Sequence, residues 1–144
     1  MITVQIIPII EDNYAYLIQS EDGTTAILDA GEASPIIDVL EERGLTPDYI
    51  LTTHHHWDHV NGNSKIKAKY NAKIAAPEKE APLIKGGVDI TLKDGDIFTL
   101  GQDKAQIIET AGHTMGGICF YFKESGIIFT GDSVFSLGCG RLFE

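Results

Sequence analysis

Four of the chain's five histidines fall within six residues, in the run Thr53-His54-His55-His56-Trp57-Asp58-His59. The run follows Tyr49–Thr53, a short apolar stretch that reads as a buried strand. In extended backbone alternate side chains share a face, so His54 and His56 point one way and His55 the other. A turn after Trp57 returns Asp58 and His59 towards the first two rings. A chain that gathers this many donors at one strand end must fold around that end.

Two further segments repeat the pattern of strand, glycine and polar donor. The fifth histidine, His113, lies in Thr110-Ala111-Gly112-His113-Thr114, after the strand-like Gln106–Glu109. Asp132 lies in Phe129-Thr130-Gly131-Asp132-Ser133, after the apolar stretch 126–129. Taken singly, His113 reads as a capping or core histidine and Asp132 as a turn carboxylate. Together with the run, they make three strand ends that present donors at one sheet edge. Imidazole suits zinc and iron, and a carboxylate beside it admits harder cations. Three imidazoles and a carboxylate within six residues exceed the reach of one tetrahedral site, so the spacing favours two neighbouring ions. His55 is a bystander by alternation. Asp29, before Ala30-Gly31, reads as a supporting or structural carboxylate, and Trp57 as packing at the site wall.

The rest of the chain supplies a frame of many short strands. Residues 2–10, Tyr14–Gln19, Thr25–Leu28, Lys73–Ala76 and 117–122 all read as strands, with a turn at Glu21-Asp22-Gly23-Thr24. Ile90 to Leu100 reads as a hairpin around Lys93-Asp94-Gly95-Asp96, where Asp-Gly is the turn signal. One helix is predicted from an N-cap at Ser34 with Pro35 in its first position, through the stripe Ile36, Ile37, Val39 and Leu40, to a stop at Gly44. A second is predicted from Asn63 to Tyr70. Many strands with few helices predict an α+β class, with sheets packed face to face and helices outside. At 144 residues the chain is the size of one domain.

Composition narrows the function. The formal net charge of −10 argues against a nucleic-acid surface, which needs clustered Lys and Arg. No apolar run approaches the roughly 18 residues of a membrane span. Cys119 and Cys139 are the only cysteines. With no leader-like start, free thiols in a cytoplasmic protein are the expectation.

These residues carry a resemblance. His54-x-His56-x-Asp58-His59 resembles the signature of the metallo-β-lactamase superfamily. Within it, Thr52–His59, His113-Thr114-x-Gly116, Phe129–Ser133 and Gly138-Cys139-Gly140-Arg141-Leu142-Phe143-Glu144 resemble the glyoxalase II (hydroxyacylglutathione hydrolase) branch. The resemblance implies an αββα sandwich, of which residues 1–144 would be the N-terminal catalytic portion, lacking a C-terminal helical domain and a further downstream histidine. It implies two divalent metal ions, zinc first, with iron or manganese as alternatives. His54, His56 and His113 would hold one, Asp58 and His59 the other, and Asp132 would bridge them, with Asp58 and Asp132 also serving catalysis. Arg141 and Phe143 would contact the glutathione part of the substrate.

The implied reaction is hydrolysis of S-D-lactoylglutathione, or a related 2-hydroxyacylglutathione, by metal-activated water. No serine or cysteine nucleophile is needed. Gly117 and Ala111 depart from a histidine and a proline frequent in the family. A lactonase or a one-iron persulfide dioxygenase is the rival among enzymes, and a non-catalytic metal-binding domain the rival outside them. A chain ending at Glu144 is also expected to expose apolar surface and to form a homodimer.

Overall fold

The computed structural model describes residues 1–10, 13–84, 86–110, 116–130, 134–136 and 141–143. The chain begins with β1 (Thr3–Pro8), β2 (Tyr14–Gln19) and β3 (Thr25–Leu28), then α1 (Ala33–Arg43) and β4 (Tyr49–Leu51). Next come the short α2 (Trp57–Val60), α3 (Asn63–Tyr70), β5 (Lys73–Pro77), a 3-10 segment at Glu78–Leu83 and β6 (Ile90–Leu92). Among the described residues the second half is mostly strand, with β7 (Ile97–Leu100), β8 (Asp103–Glu109), β9 (Ile118–Phe122), a 3-10 turn at Lys123–Ser125, β10 (Ile127–Phe129), β11 (Val134–Ser136) and β12 (Arg141–Phe143).

Two six-stranded sheets result, in the orders β1-β2-β3-β4-β5-β6 and β12-β11-β10-β9-β8-β7. The first opens antiparallel and becomes parallel from β3 to β6. The second is antiparallel throughout. This is the α+β sandwich expected from the sequence.

Alternation along the strands divides the core in two. On β2, Tyr16 and Ile18 face the second sheet, where Phe98, Phe120, Phe122 and Phe129 meet them. Ala15 and Leu17 face the opposite way, towards Ile36 and Leu40 of α1, Val60 of α2 and Ile66 of α3. A tilted ring pair at 5.5 Å (Tyr16–Phe129) and an edge-on pair at 5.9 Å (Phe122–Phe129) fill the space between the sheets. Removing one such buried ring costs about 3–5 kcal/mol, because the lost burial and the cavity add.

Two local readings are corrected. Residues Ile90 to Leu100 do not form a hairpin: β6 joins the first sheet, parallel to β5, and β7 joins the second, antiparallel to β8. The turn at Lys93–Asp96 carries the chain from one sheet to the other, and the actual hairpin runs through Gly101-Gln102, where Leu100 pairs with Asp103. A turn signal gives a reversal of direction but not the sheet that the next strand joins. Helix α1 starts two residues early, with Glu32 rather than Ser34 at its N-cap. Pro35 is tolerated within the first turn because the N–H it lacks has no helical acceptor there. The stop at Gly44 holds: its left-handed φ of 64° lets its N–H close on the last turn.

Candidate metal centre

The parallel strands β3, β4 and β5 all deliver polar groups from their carboxyl ends, where open α/β sheets bind ligands. Asp29 follows β3, His54–His59 follow β4, and Glu80 follows β5. The chain past β4 is braced on both sides. Asp29 N–H donates to Leu51 O at 2.8 Å, Thr52 N–H to Ala75 O at 2.9 Å, and Ile118 N–H at the head of β9 to Thr53 O at 2.9 Å. The last bond ties the second sheet to the first beside the histidines.

Three imidazoles come together. The ring centroid of His54 lies 4.9 Å from that of His56 and 4.1 Å from that of His59. One Asp58 carboxylate oxygen lies 3.7 Å from His59 Nε2 and accepts from Asn13 Nδ2 at 2.8 Å. His55, held by Glu80, places its ring 5.2 Å from that of His56, centroid to centroid. Its backbone N–H and its Nδ1 both meet Glu80 Oε1 at 2.8 Å. Trp57 does not pack at the site wall: it is 55% exposed. The first turn of α2 points it outward while burying His59 and Val60 on the other side.

A hydrogen-bonded chain fixes which nitrogen of each ring carries the proton. Asp29, with 0% exposure, accepts from Thr53 N–H at 2.9 Å and from Thr53 Oγ1 at 2.8 Å, and meets His59 Nδ1 at 3.0 Å. A carboxylate only accepts, so His59 Nδ1 carries a proton towards it. The single Thr53 hydroxyl proton also goes to Asp29. Towards His54 Nδ1, at 2.8 Å, the same hydroxyl oxygen can therefore only accept. In its neutral form each ring would keep its lone pair on Nε2, the arrangement of imidazoles that ligate a metal through Nε2 and anchor themselves through Nδ1.

Asp29, His54 and His59 offer ligand atoms within 4.8 Å of one another. Both Asp29 oxygens are also engaged by Thr53 and His59, while Asp58 stands beside His59 Nε2. The donor set fits a divalent ion.

Asn13, Glu80 and Gly31 were not singled out from the sequence. A Cβ on Gly31 would stand 1.8 Å from the Asp58 carbonyl oxygen, so only glycine lets the chain after β3 pass beneath the histidine turn. His113 and Asp132 lie outside the described residues, as do the side chains of Arg141 and Phe143.

Cys119 is buried on β9, and burial pushes its thiol up from the ordinary range, opposed by a hydrogen bond involving Thr110. That disfavours the thiolate a nucleophile needs. A cleft of about 200 Å³ beside Gly116 is lined by Lys79, Lys93, Asp94 and Glu109. There the hydrogen bond to Glu109, at 2.7 Å, holds the Lys79 ammonium above its usual range.

Known proteins agree with this architecture. The chain is 51% identical over 134 residues to hydroxyacylglutathione hydrolases of Brucella ovis and Brucella abortus, which covers 92% of this chain and 52% of each relative. The chain therefore spans about half the length of the curated relatives it matches. Among solved structures, BLEG-1 B3 metallo-beta-lactamase superposes with a TM-score of 0.81 at 22% identity, over 89% of this chain and 71% of that one. TTHA1623 in a di-iron-bound form superposes at 0.73 with 21% identity, over 86% and 69%. At such identities the likeness is one of fold. No helix among the described residues is long and apolar enough to cross a membrane. The model of the metallo-beta-lactamase superfamily matches residues 10–144, which takes in the whole histidine run, the second sheet and every strand of the first but β1, and the chain belongs to that superfamily.

Proposed function

We propose that this chain carries the metal-binding half of a thioester hydrolase acting on S-D-lactoylglutathione or a related 2-hydroxyacylglutathione. One observation carries the reading: 51% identity to proteins named hydroxyacylglutathione hydrolase, over 92% of this chain. The donor chemistry supports it. His54, His56 and His113 would hold one ion, Asp58 and His59 a second, with Asp132 between them. Zinc, iron and manganese all suit such ligands. Bound there, divalent ions supply Lewis-acid activation of water and of the thioester carbonyl.

The chain's own residues hold the geometry. Thr53 and Asp29 set the ring tautomers of His54 and His59. Asn13 fixes the rotation of the Asp58 carboxylate, which stays part-exposed and able to face a substrate and orient the attacking water. Arg141 would supply positive charge to the glutathione carboxylates of the substrate, with Phe143 beside it.

The test is hydrolysis of S-D-lactoylglutathione by the 144-residue chain, followed as thiol release, with metals per chain measured by elemental analysis. Turnover that a chelator abolishes and zinc restores is the expected result, with His56→Ala losing both metal and rate. Turnover unchanged by chelation would sink the metallohydrolase reading. Metal binding without turnover would favour a non-catalytic domain.

A further inference from the structure

Glu80 is a buried acid, 3% exposed, on the 3-10 segment after β5. It lies outside the ligand set, yet its carboxylate spans two parts of the chain. Oε1 accepts the backbone N–H of His55 at 2.8 Å and meets its ring Nδ1 at the same distance. Oε2 accepts the backbone N–H of Gly116 at 2.9 Å.

The positions of these bonds carry the argument. Thr53 and Ile118 are joined directly, N–H to carbonyl, at 2.9 Å. Two residues further along one strand is His55, and two residues back along the other is Gly116. There the Glu80 carboxylate bridges the two chains instead, with one oxygen for each N–H. Gly116 is shaped to this: a Cβ on it would stand 2.6 Å from Lys79 Cβ and 3.1 Å from Glu80 Cγ. The His55 N–H belongs to the peptide that links His54 to His56, and Gly116 follows His113 by three residues.

We propose that Glu80 is a positioning residue for the metal centre, setting the spacing between the His54–His59 loop and the segment that enters β9. The inference rests on the metal reading of the histidine cluster. Groups that orient ligands without touching the ion typically change metal affinity by about ten- to hundred-fold when removed. Glu80→Gln keeps the shape and replaces one acceptor oxygen with a donor that faces an N–H. Glu80→Ala removes both acceptors.

The experiment measures zinc affinity by competition with a chromophoric chelator and amide hydrogen exchange in the metal-free protein. The parent is compared with Glu80→Gln and with Asp103→Asn. Asp103 is also buried, accepts from Ser20 Oγ at 2.7 Å, and lies at the opposite end of β8 from the histidines. Glu80→Gln is expected to weaken zinc about ten-fold or more. The His55 and Gly116 amides should exchange at least ten-fold faster, while Ile118 follows global stability alone. Asp103→Asn should lower the melting temperature with zinc affinity unchanged. Zinc bound by Glu80→Gln as tightly as by the parent, with stability lost as in Asp103→Asn, would overturn this inference alone. A parent that binds no zinc would overturn the metal reading together with it. Should Glu80→Gln fail to fold, Gly116→Ala, which crowds Glu80 without removing it, must show the same loss of affinity or the inference falls.

Discussion

Replacing Asp29 by Asn tests the tautomer argument most directly. The side chain keeps its size, and Asn tolerates the left-handed backbone at this position, φ 57°. What changes is that one acceptor oxygen becomes a donor. If the amide nitrogen takes the place of Oδ1, it faces the Thr53 N–H, and a buried donor goes unmet at a cost of about 1–3 kcal/mol. If it takes the place of Oδ2, the Thr53 hydroxyl must turn its proton to His54 Nδ1, and His59 Nδ1 must become an acceptor. Both rings then carry their proton on Nε2, and two ligand lone pairs are withdrawn from the cluster. The expected outcome is a melting temperature lower by about 4–12 °C for a chain of this size and zinc affinity lower by about ten- to hundred-fold. Competition titration gives the affinity, and histidine nitrogen shifts in the NMR spectrum of metal-free protein report the tautomers. Asp29→Asn protein with parental zinc affinity and both rings still protonated at Nδ1 would refute the reasoning.

Gly31→Ala forces a Cβ against the Asp58 carbonyl oxygen, which must move by more than 1 Å from its 1.8 Å approach to reach ordinary contact. Displacements of that size cost about 100-fold in turnover, and the variant should lose zinc by elemental analysis; full zinc content would count against the packing argument. Asp89 has its carboxyl held below the usual range, chiefly by its hydrogen bond with Lys67 and then by the Ile74 N–H. A depressed acid adds stability above its unfolded pKa of about 3.9 and loses it as pH falls through the lower folded value. Thermal melts of Asp89→Asn should therefore lie below the parent's at pH 5–7 and converge with them below about pH 4; a gap that persists in acid would assign the loss to packing. Cys119, its thiol raised by burial, should react with a disulfide reagent at pH 8 far more slowly than a free thiol until urea unfolds the chain, measured with Cys139→Ser to leave one thiol. Rapid labelling of the folded protein would contradict the burial.

How much of this was legible depended on the range of the contacts. The strands Tyr14–Gln19 and Thr25–Leu28, and the helices before Gly44 and Tyr70, follow from local pattern and punctuation. The clustering of His54, His56 and His59 follows from strand alternation and one turn. The groups that hold the cluster do not. Asn13 reaches Asp58 across 45 residues of chain, Glu80 reaches His55 across 25, and Gly116 reaches Glu80 across 36. No periodicity encodes those pairings, because they exist only once β2, β4, β5 and β9 converge on one edge. The hairpin misread at Lys93–Asp96 has the same origin, since Asp94-Gly95 turns the chain without saying which sheet receives it.

Asp29 and Glu80 show what the convergence demands. Each is buried, and burying a carboxylate is costly unless hydrogen bonds replace its water. An apolar pair could fill the same space, but it could neither set a ring tautomer nor bridge N–H groups on diverging strands. Both acids take donors from the same loop: Asp29 from Thr53 and His59, Glu80 from His55. The loop is thus clamped from two sides by negative charge, while Asp58 adds a third carboxylate at 3.7 Å from His59 Nε2. Asp29 and Asp58 both stand beside His59, and a divalent ion bound there would dominate the local charge balance. Carboxylates beside imidazoles suit a divalent cation better than a neutral occupant. That is why the loop's geometry, more than its histidine count, argues for a metal centre.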